Sequence, residues 1–215
     1  MLILFRSVGT TCLLFFVVYL PSFAIAGALR LRSDLVVPVV MVASCGVACA
    51  LIGLIILRGW LTATDFGLRW PSLRYLTYAL ILAGPLSAIT AWVLSHVSEC
   101  GPLCGLNLTP MLVYLYFAIG APIQEEVIFR GLLQSTLARN VGSSSKWVSA
   151  SSMTASFAIA ALFGLIHLTV GSLTALAALV LGVLTGELKR RSGSLLPAIV
   201  AHSMFNLGGL VWVFY

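Results

Sequence analysis

Residues 121–131, "APIQEEVIFRG", set two adjacent glutamates, Glu125 and Glu126, and an arginine, Arg130, inside an apolar segment. The residues before them, 100–124, carry no charge. A charged side chain at membrane depth costs about 2.5–3.5 kcal/mol on insertion scales, so these groups must be compensated or useful. On a helix, Glu126 and Arg130 are four apart, share a face and can pair. Glu125 is turned by about 100° and need not be consumed by that pair. An ion pair pinning two helices would account for Glu126 and Arg130, but not for Glu125. Pro122, just upstream, removes a backbone donor and marks a point for a kink.

Few other groups in this sequence can do chemistry. His167 sits in "LFGLIHL", and His202 and Asn206 sit in "AHSMFN". At i and i+4, His202 and Asn206 present one donor–acceptor face. A lone intramembrane histidine is more often a hydrogen-bonded packing residue than a catalyst. Two of them on separate helices, with an unpaired glutamate, are functional candidates. A carboxylate and an imidazole can share the deprotonation of a water. An asparagine amide and a second imidazole can donate to a developing oxyanion. The reaction class is hydrolysis of an amide bond by activated water.

Helices must position these groups. The chain has 215 residues, 60% hydrophobic and 8% charged, against about 25% charged in soluble domains. The uncharged stretches are 7–29, 35–57, 75–98, 100–124 (continuing through the charged patch to about 138), 147–186 and 192–215. A spanning helix needs about 20 apolar residues. The stretch 147–186 is too long for one, and Gly171–Ser172 is the expected break. The predicted fold is all-α, a polytopic membrane protein of about seven transmembrane helices enclosing an intramembrane catalytic cavity. Residues 1–109 form the N-terminal helices and 110–215 the catalytic core. Residues 1–26 also resemble a signal peptide, with Arg6, an apolar run and an "AIAG" site cleavable after Ala26, but are long enough to be kept as a first span. No repeated halves with matching broken helices appear, which weighs against a transporter.

Twelve Lys and Arg against six acids leave a net charge of +6. This reads as juxtamembrane charge, since no basic run with interleaved aromatics points to nucleic acid. Arg58, Arg69 and Arg74 mark the second loop, Arg139 and Lys146 the fourth, and Lys189, Arg190 and Arg191 the sixth. The positive-inside rule puts those loops in the cytoplasm and the C-terminus outside, with Arg30 and Arg32 dissenting. "TATDFGLRWPSLR" reads as a cytoplasmic surface segment, with Trp60 and Trp70 as interface anchors. With loop four cytoplasmic, His167 counts out nearer the outer side than His202. Either the fifth span begins late, after "SASSMTAS", or a helix breaks near Gly164. Cys12, Cys45 and Cys49 read as small buried hydrophobes. Cys100 and Cys104 could pair in an oxidising space. His96, Cys100 and Cys104 have metal-like spacing, but Gly101–Pro102 would break a helical arrangement.

"EEVIFR" matches the E-E-x-x-x-R motif of the CAAX protease and bacteriocin-processing family, also called the type II CAAX protease or ABI family. "FGLIH" matches its F-x-x-x-H motif and "HSMFN" its H-x-x-x-N motif, all in order. "GELKRRSGSLLPAIVAH" resembles the family's approach to the last motif. The resemblance covers about 110–210. It implies an all-helical intramembrane endopeptidase acting on a membrane-associated peptide or protein, as relatives act on prenylated CAAX proteins. By that resemblance, Glu125 activates water with help from His167, Glu126 and Arg130 orient the site, and His202 and Asn206 stabilise the oxyanion. No cofactor is expected, with one alternative: zinc on Glu125, His167 and His202. The other alternative is a non-catalytic membrane immunity or scaffold protein of the same fold. The location implied is the cell membrane.

Overall fold

A computed structural model describes residues 2–29, 33–96, 110–142 and 148–214. Arg30, Arg32, Cys100, Cys104 and Lys146 lie outside the described residues. Those described form seven helices and no strand. They are α1 (Leu2–Ala28), α2 (Ser33–Leu57), α3 (Leu73–Ser95), α4 (110–142), α5 (Val148–Ile166), α6 (Ser172–Ser192) and α7 (Leu196–Phe214). Four segments among them are long and apolar enough to cross a membrane: Pro38–Leu57, Leu73–Ser95, Ser152–Thr169 and Ser172–Ser192. Apolar stretches of α1 and α7 run over Gly9–Ile25 and Leu196–Leu210. Leu13, Phe16, Val42, Ile81, Ile89 and Leu176 stay exposed on the outside, as a bilayer-facing surface requires. This is a polytopic membrane protein.

The break between α5 and α6 falls where the sequence puts it. α5 tightens into a 3-10 turn over His167–Thr169, and Gly171 leaves helical space at φ 157° and ψ 155°. α5 and α6 then pack through small residues four apart. Ser156, Ala160 and Gly164 on α5 meet Gly186, Gly182 and Ala175–Leu179 on α6. Without a hydrophobic drive between helices in lipid, such small-residue faces let backbones approach closely. A Cβ on Gly182 would stand 3.1 Å from Ala160 Cα.

α4 is one continuous helix with two wide turns. Leu115–Gly120 and Val127–Gln134 are π-helical, with the α-helical Ala121–Glu126 between them. The junctions at Gly120, Ala121, Glu126 and Val127 all keep right-handed helical dihedrals. Pro122 therefore does not break α4; the wide turns absorb it. The buried core gathers Phe129, Leu132 and Leu133 of α4 with Ile159 and Phe163 of α5, Ile52 of α2 and Val18 of α1. α1 is thus an integral wall of the bundle.

The loop 58–72 differs from the surface segment the sequence suggests. Trp60 and Trp70 are exposed, but Phe66 is wholly buried and Leu61 nearly so. Thr62 and Asp65 build a reciprocal capping box. Asp65 Oδ2 accepts from the Thr62 N–H at 2.7 Å and its hydroxyl at 2.8 Å, and the Asp65 N–H donates back at 3.3 Å. Burial would raise the Asp65 carboxyl, but these bonds, with Arg139 and Lys189 nearby, hold it below the ordinary value. The Asp65 carbonyl accepts from Lys189 Nζ at 3.0 Å and Ser135 Oγ at 2.8 Å. Gly67, at φ 84°, brings its carbonyl to the Leu195 N–H at 3.0 Å. The loop is clamped to α4, α6 and the turn before α7, because one aromatic and several backbone acceptors find buried partners there. The second and sixth loops and the C-terminal part of α4 therefore share one end of the bundle.

Candidate active site

Glu126 and Arg130 are both fully buried, with Arg130 Nε 3.5 Å from Glu126 Oε2. Arg130 is held from α6 as well. Its Nε donates to Thr185 Oγ1 at 3.0 Å and its Nη2 to the Gly182 carbonyl at 3.1 Å. Its guanidinium also lies 5.1 Å from the centre of the Phe163 ring. The close α5–α6 packing makes this possible: a Cβ on Gly182 would come within 3.2 Å of Arg130 Nη2.

Glu126 has a second partner across the bundle. His202 Nδ1 lies 2.9 Å from Glu126 Oε1. The carboxylate accepts, so Nδ1 carries the proton and fixes the ring orientation. The far nitrogen, His202 Nε2, then stands 3.7 Å from Glu125 Oε2. Glu125 keeps 19% of its side chain accessible, whereas Glu126 keeps none. The 100° between adjacent helical positions is what separates them.

His167 is placed differently. Its Nδ1–H donates to the Phe163 carbonyl, one turn back on α5, at 2.7 Å. The Phe163 ring centre lies 4.6 Å from the His167 ring and 5.8 Å from the His202 ring. The imidazole nearest Glu125 is therefore that of His202, with His167 one aromatic ring away. α5 runs unbroken through Gly164. Ser156 is level with Gly186, whose carbonyl accepts from Gln134 Nε2 at 3.2 Å.

Asn206 Nδ2 donates to the Phe117 carbonyl at 2.7 Å. The acceptor is open for a local reason. The Ala121 N–H bonds the Tyr116 carbonyl five residues back, so in that register residue 122 would serve Phe117, and Pro122 has no N–H. An amide carries two N–H donors, so the second remains for another acceptor.

Glu125, His167 and His202 do not converge as a metal set. Among the described residues no three His, Cys, Asp or Glu side chains do. His96 Nδ1 lies 2.8 Å from the Trp92 carbonyl, and Cys100 and Cys104, at metal-like spacing from it, lie outside the described residues. The cavity of about 360 Å³ found in the bundle lies between α3 and α6 and is lined by none of these groups.

Residues 107–208 match the family model for type II CAAX prenyl endopeptidase Rce1-like. That match covers a little under half of the chain. Comparisons with curated proteins and with solved structures returned no match. The Rce1-like span holds all six residues singled out from the sequence. At the level of that family, the match is to CAAX-type endopeptidases.

Several residues around the site are invisible to motif reading. Gly182 and Thr185 hold Arg130, and only the four-residue spacing of Gly182 and Gly186 hints at it; Phe163, the first residue of F-x-x-x-H, lies against the same guanidinium. Two more come from helices outside the Rce1-like span. Gln124 Nε2 donates to Tyr19 Oη of α1 at 3.2 Å and to Ser44 Oγ of α2 at 3.0 Å. They anchor the helical turn that carries Glu125.

Proposed function

We propose that this protein is an intramembrane endopeptidase that hydrolyses a peptide bond of a membrane-associated, prenylated substrate, with Glu125 as the base. The observation that supports it is the row Glu126–His202–Glu125. One carboxylate is consumed in fixing an imidazole, and the other stands beside the bare nitrogen of that ring. Two acceptors 3.7 Å apart can both receive hydrogens from a single water. Glu125 takes one proton as the water oxygen attacks the scissile carbonyl. The free N–H of Asn206 meets the oxyanion. As the C–N bond breaks, Glu125 returns the proton to the leaving amine. His167, pinned through Nδ1, keeps Nε2 free to assist. Zinc, if bound, would polarise the water, but its three supposed ligands do not meet, and no step here runs through it.

In this reading the basic loops face the cytoplasm and the C-terminus faces out; an external tag at Tyr215 cut by protease in intact cells supports it, and a protected tag contradicts it. The activity test uses protein in liposomes with matched prenylated and unprenylated CAAX peptides, with and without a strong chelator. Cleavage of the prenylated peptide alone, unaffected by chelator, is the expected result. Loss with chelator points to a metalloprotease. No cleavage by folded protein moves the reading to the non-catalytic immunity or scaffold alternative.

A further inference from the structure

The cavity between α3 and α6 has no part in the site above, and it has a chemical gradient along its length. Arg74 and Tyr75 stand at the start of α3 and Arg191 at the end of α6, so the charges lie at the clamped, basic end. Further along, Tyr78 and Leu82 of α3 face Leu184 of α6. At about 1.5 Å per residue, Leu82 is about 12 Å beyond Arg74 and Leu184 about 10 Å beyond Arg191, along the outer, apolar flank of the bundle. The charge balance at the mouth is positive. Glu187 is the acid there, and it is saturated. Arg190 donates to both its oxygens, at 2.7 and 2.6 Å, and Arg191 Nε pairs with it as well. Arg74 has no carboxylate partner among the described residues. It reaches Tyr75 Oη at 3.3 Å and stacks over that ring at 4.8 Å. The four charged groups therefore sum to +2, on guanidiniums that remain exposed.

We propose that this cavity binds one anionic membrane phospholipid, its phosphate between Arg74 and Arg191 and an acyl chain along Tyr78, Leu82 and Leu184. A cationic mouth continuous with an apolar groove, about 360 Å³ in all, fits an amphiphile better than a free anion. Basic pockets between transmembrane helices hold anionic headgroups in this way. Guanidinium forks suit phosphate oxygens.

The test is native mass spectrometry of the delipidated full chain titrated with phosphatidylglycerol or phosphatidylcholine. A single phosphatidylglycerol adduct should form with roughly tenfold or greater preference. The double variant Arg74→Gln/Arg191→Gln should lose that preference, whereas Arg58→Gln, an exposed charge outside the cavity, should keep it. Both cavity arginines are exposed, so the double variant should keep its elution profile and thermal midpoint. Equal adducts for the two lipids, or an undiminished adduct in the double variant, would overturn the proposal. So would protection by inorganic phosphate equal to that of the lipid, which would leave an anion site only. Displacement of the lipid by a peptide's free C-terminal carboxylate would also overturn it.

Discussion

Arg130 is the residue whose surroundings are most fully determined. Its charge meets Glu126, its donors meet Thr185 and the Gly182 carbonyl, and its face meets Phe163. Arg130→Ala should cost about 3–5 kcal/mol, because it strands the buried Glu126. Arg130→Lys should not restore the stability, since one ammonium cannot reproduce the planar fork. Thermal unfolding in detergent reads both, and an Arg130→Ala midpoint equal to wild type would refute the pairing. Asn206 makes a sharper case. If it caps a carbonyl opened by Pro122, Asn206→Leu costs about 1–3 kcal/mol through the orphaned Phe117 carbonyl. Pro122→Ala then supplies the missing N–H, so the double variant should recover about 1 kcal/mol of that loss. Strict additivity in the double-mutant cycle would remove this role. Glu125, Glu126, Arg130 and the two histidines were legible because charge and imidazole stand out in apolar sequence. The Asn206 acceptor was not, because a backbone carbonyl freed by a wide helical turn leaves no trace in residue identity.

Helices were legible wherever uncharged runs were long, and Gly171 ended α5 where the 147–186 stretch demanded a break. Two features depended on partners that a sequence does not display. The loop 58–72 is polar enough to read as surface, yet Phe66 sits in the core and Lys189 binds the Asp65 carbonyl. The Thr62–Asp65 capping box was the available signal, since that pairing starts an ordered turn. The α5–α6 contact was the other. Ser156, Ala160 and Gly164 repeat every fourth residue, as do Gly182 and Gly186, in the pattern that lets membrane helices touch. Gly186→Val pushes directly on the Ser156 hydroxyl, and should cost about 1–3 kcal/mol by overpacking. Because α6 carries Thr185 and Gly182, the same change should shift Arg130 and lower turnover. Full stability in Gly186→Val would mean that α5 and α6 sit further apart.

Over the whole molecule, the Rce1-like span supplies the chemical groups, and the helices before it supply support. Tyr19 of α1 and Ser44 of α2 hold Gln124, the neighbour of Glu125, and Val18 closes the core behind Phe129. The loop 58–72 and the C-terminal parts of α4 and α6 meet at one end, where Lys189 Nζ reaches Ser135 Oγ at 2.7 Å and joins α4 to α6. The central claim is a division of labour between adjacent glutamates, one structural and one reactive. Cleavage of a prenylated peptide by Glu125→Gln and Glu126→Gln proteins, each beside its thermal midpoint, tests it most directly. Glu125→Gln should lose cleavage by about a hundredfold or more, the contribution of a positioned base, with its midpoint near wild type. Glu126→Gln should lose midpoint and activity together. A Glu125→Gln protein that still cleaves at the wild-type rate would contradict the account.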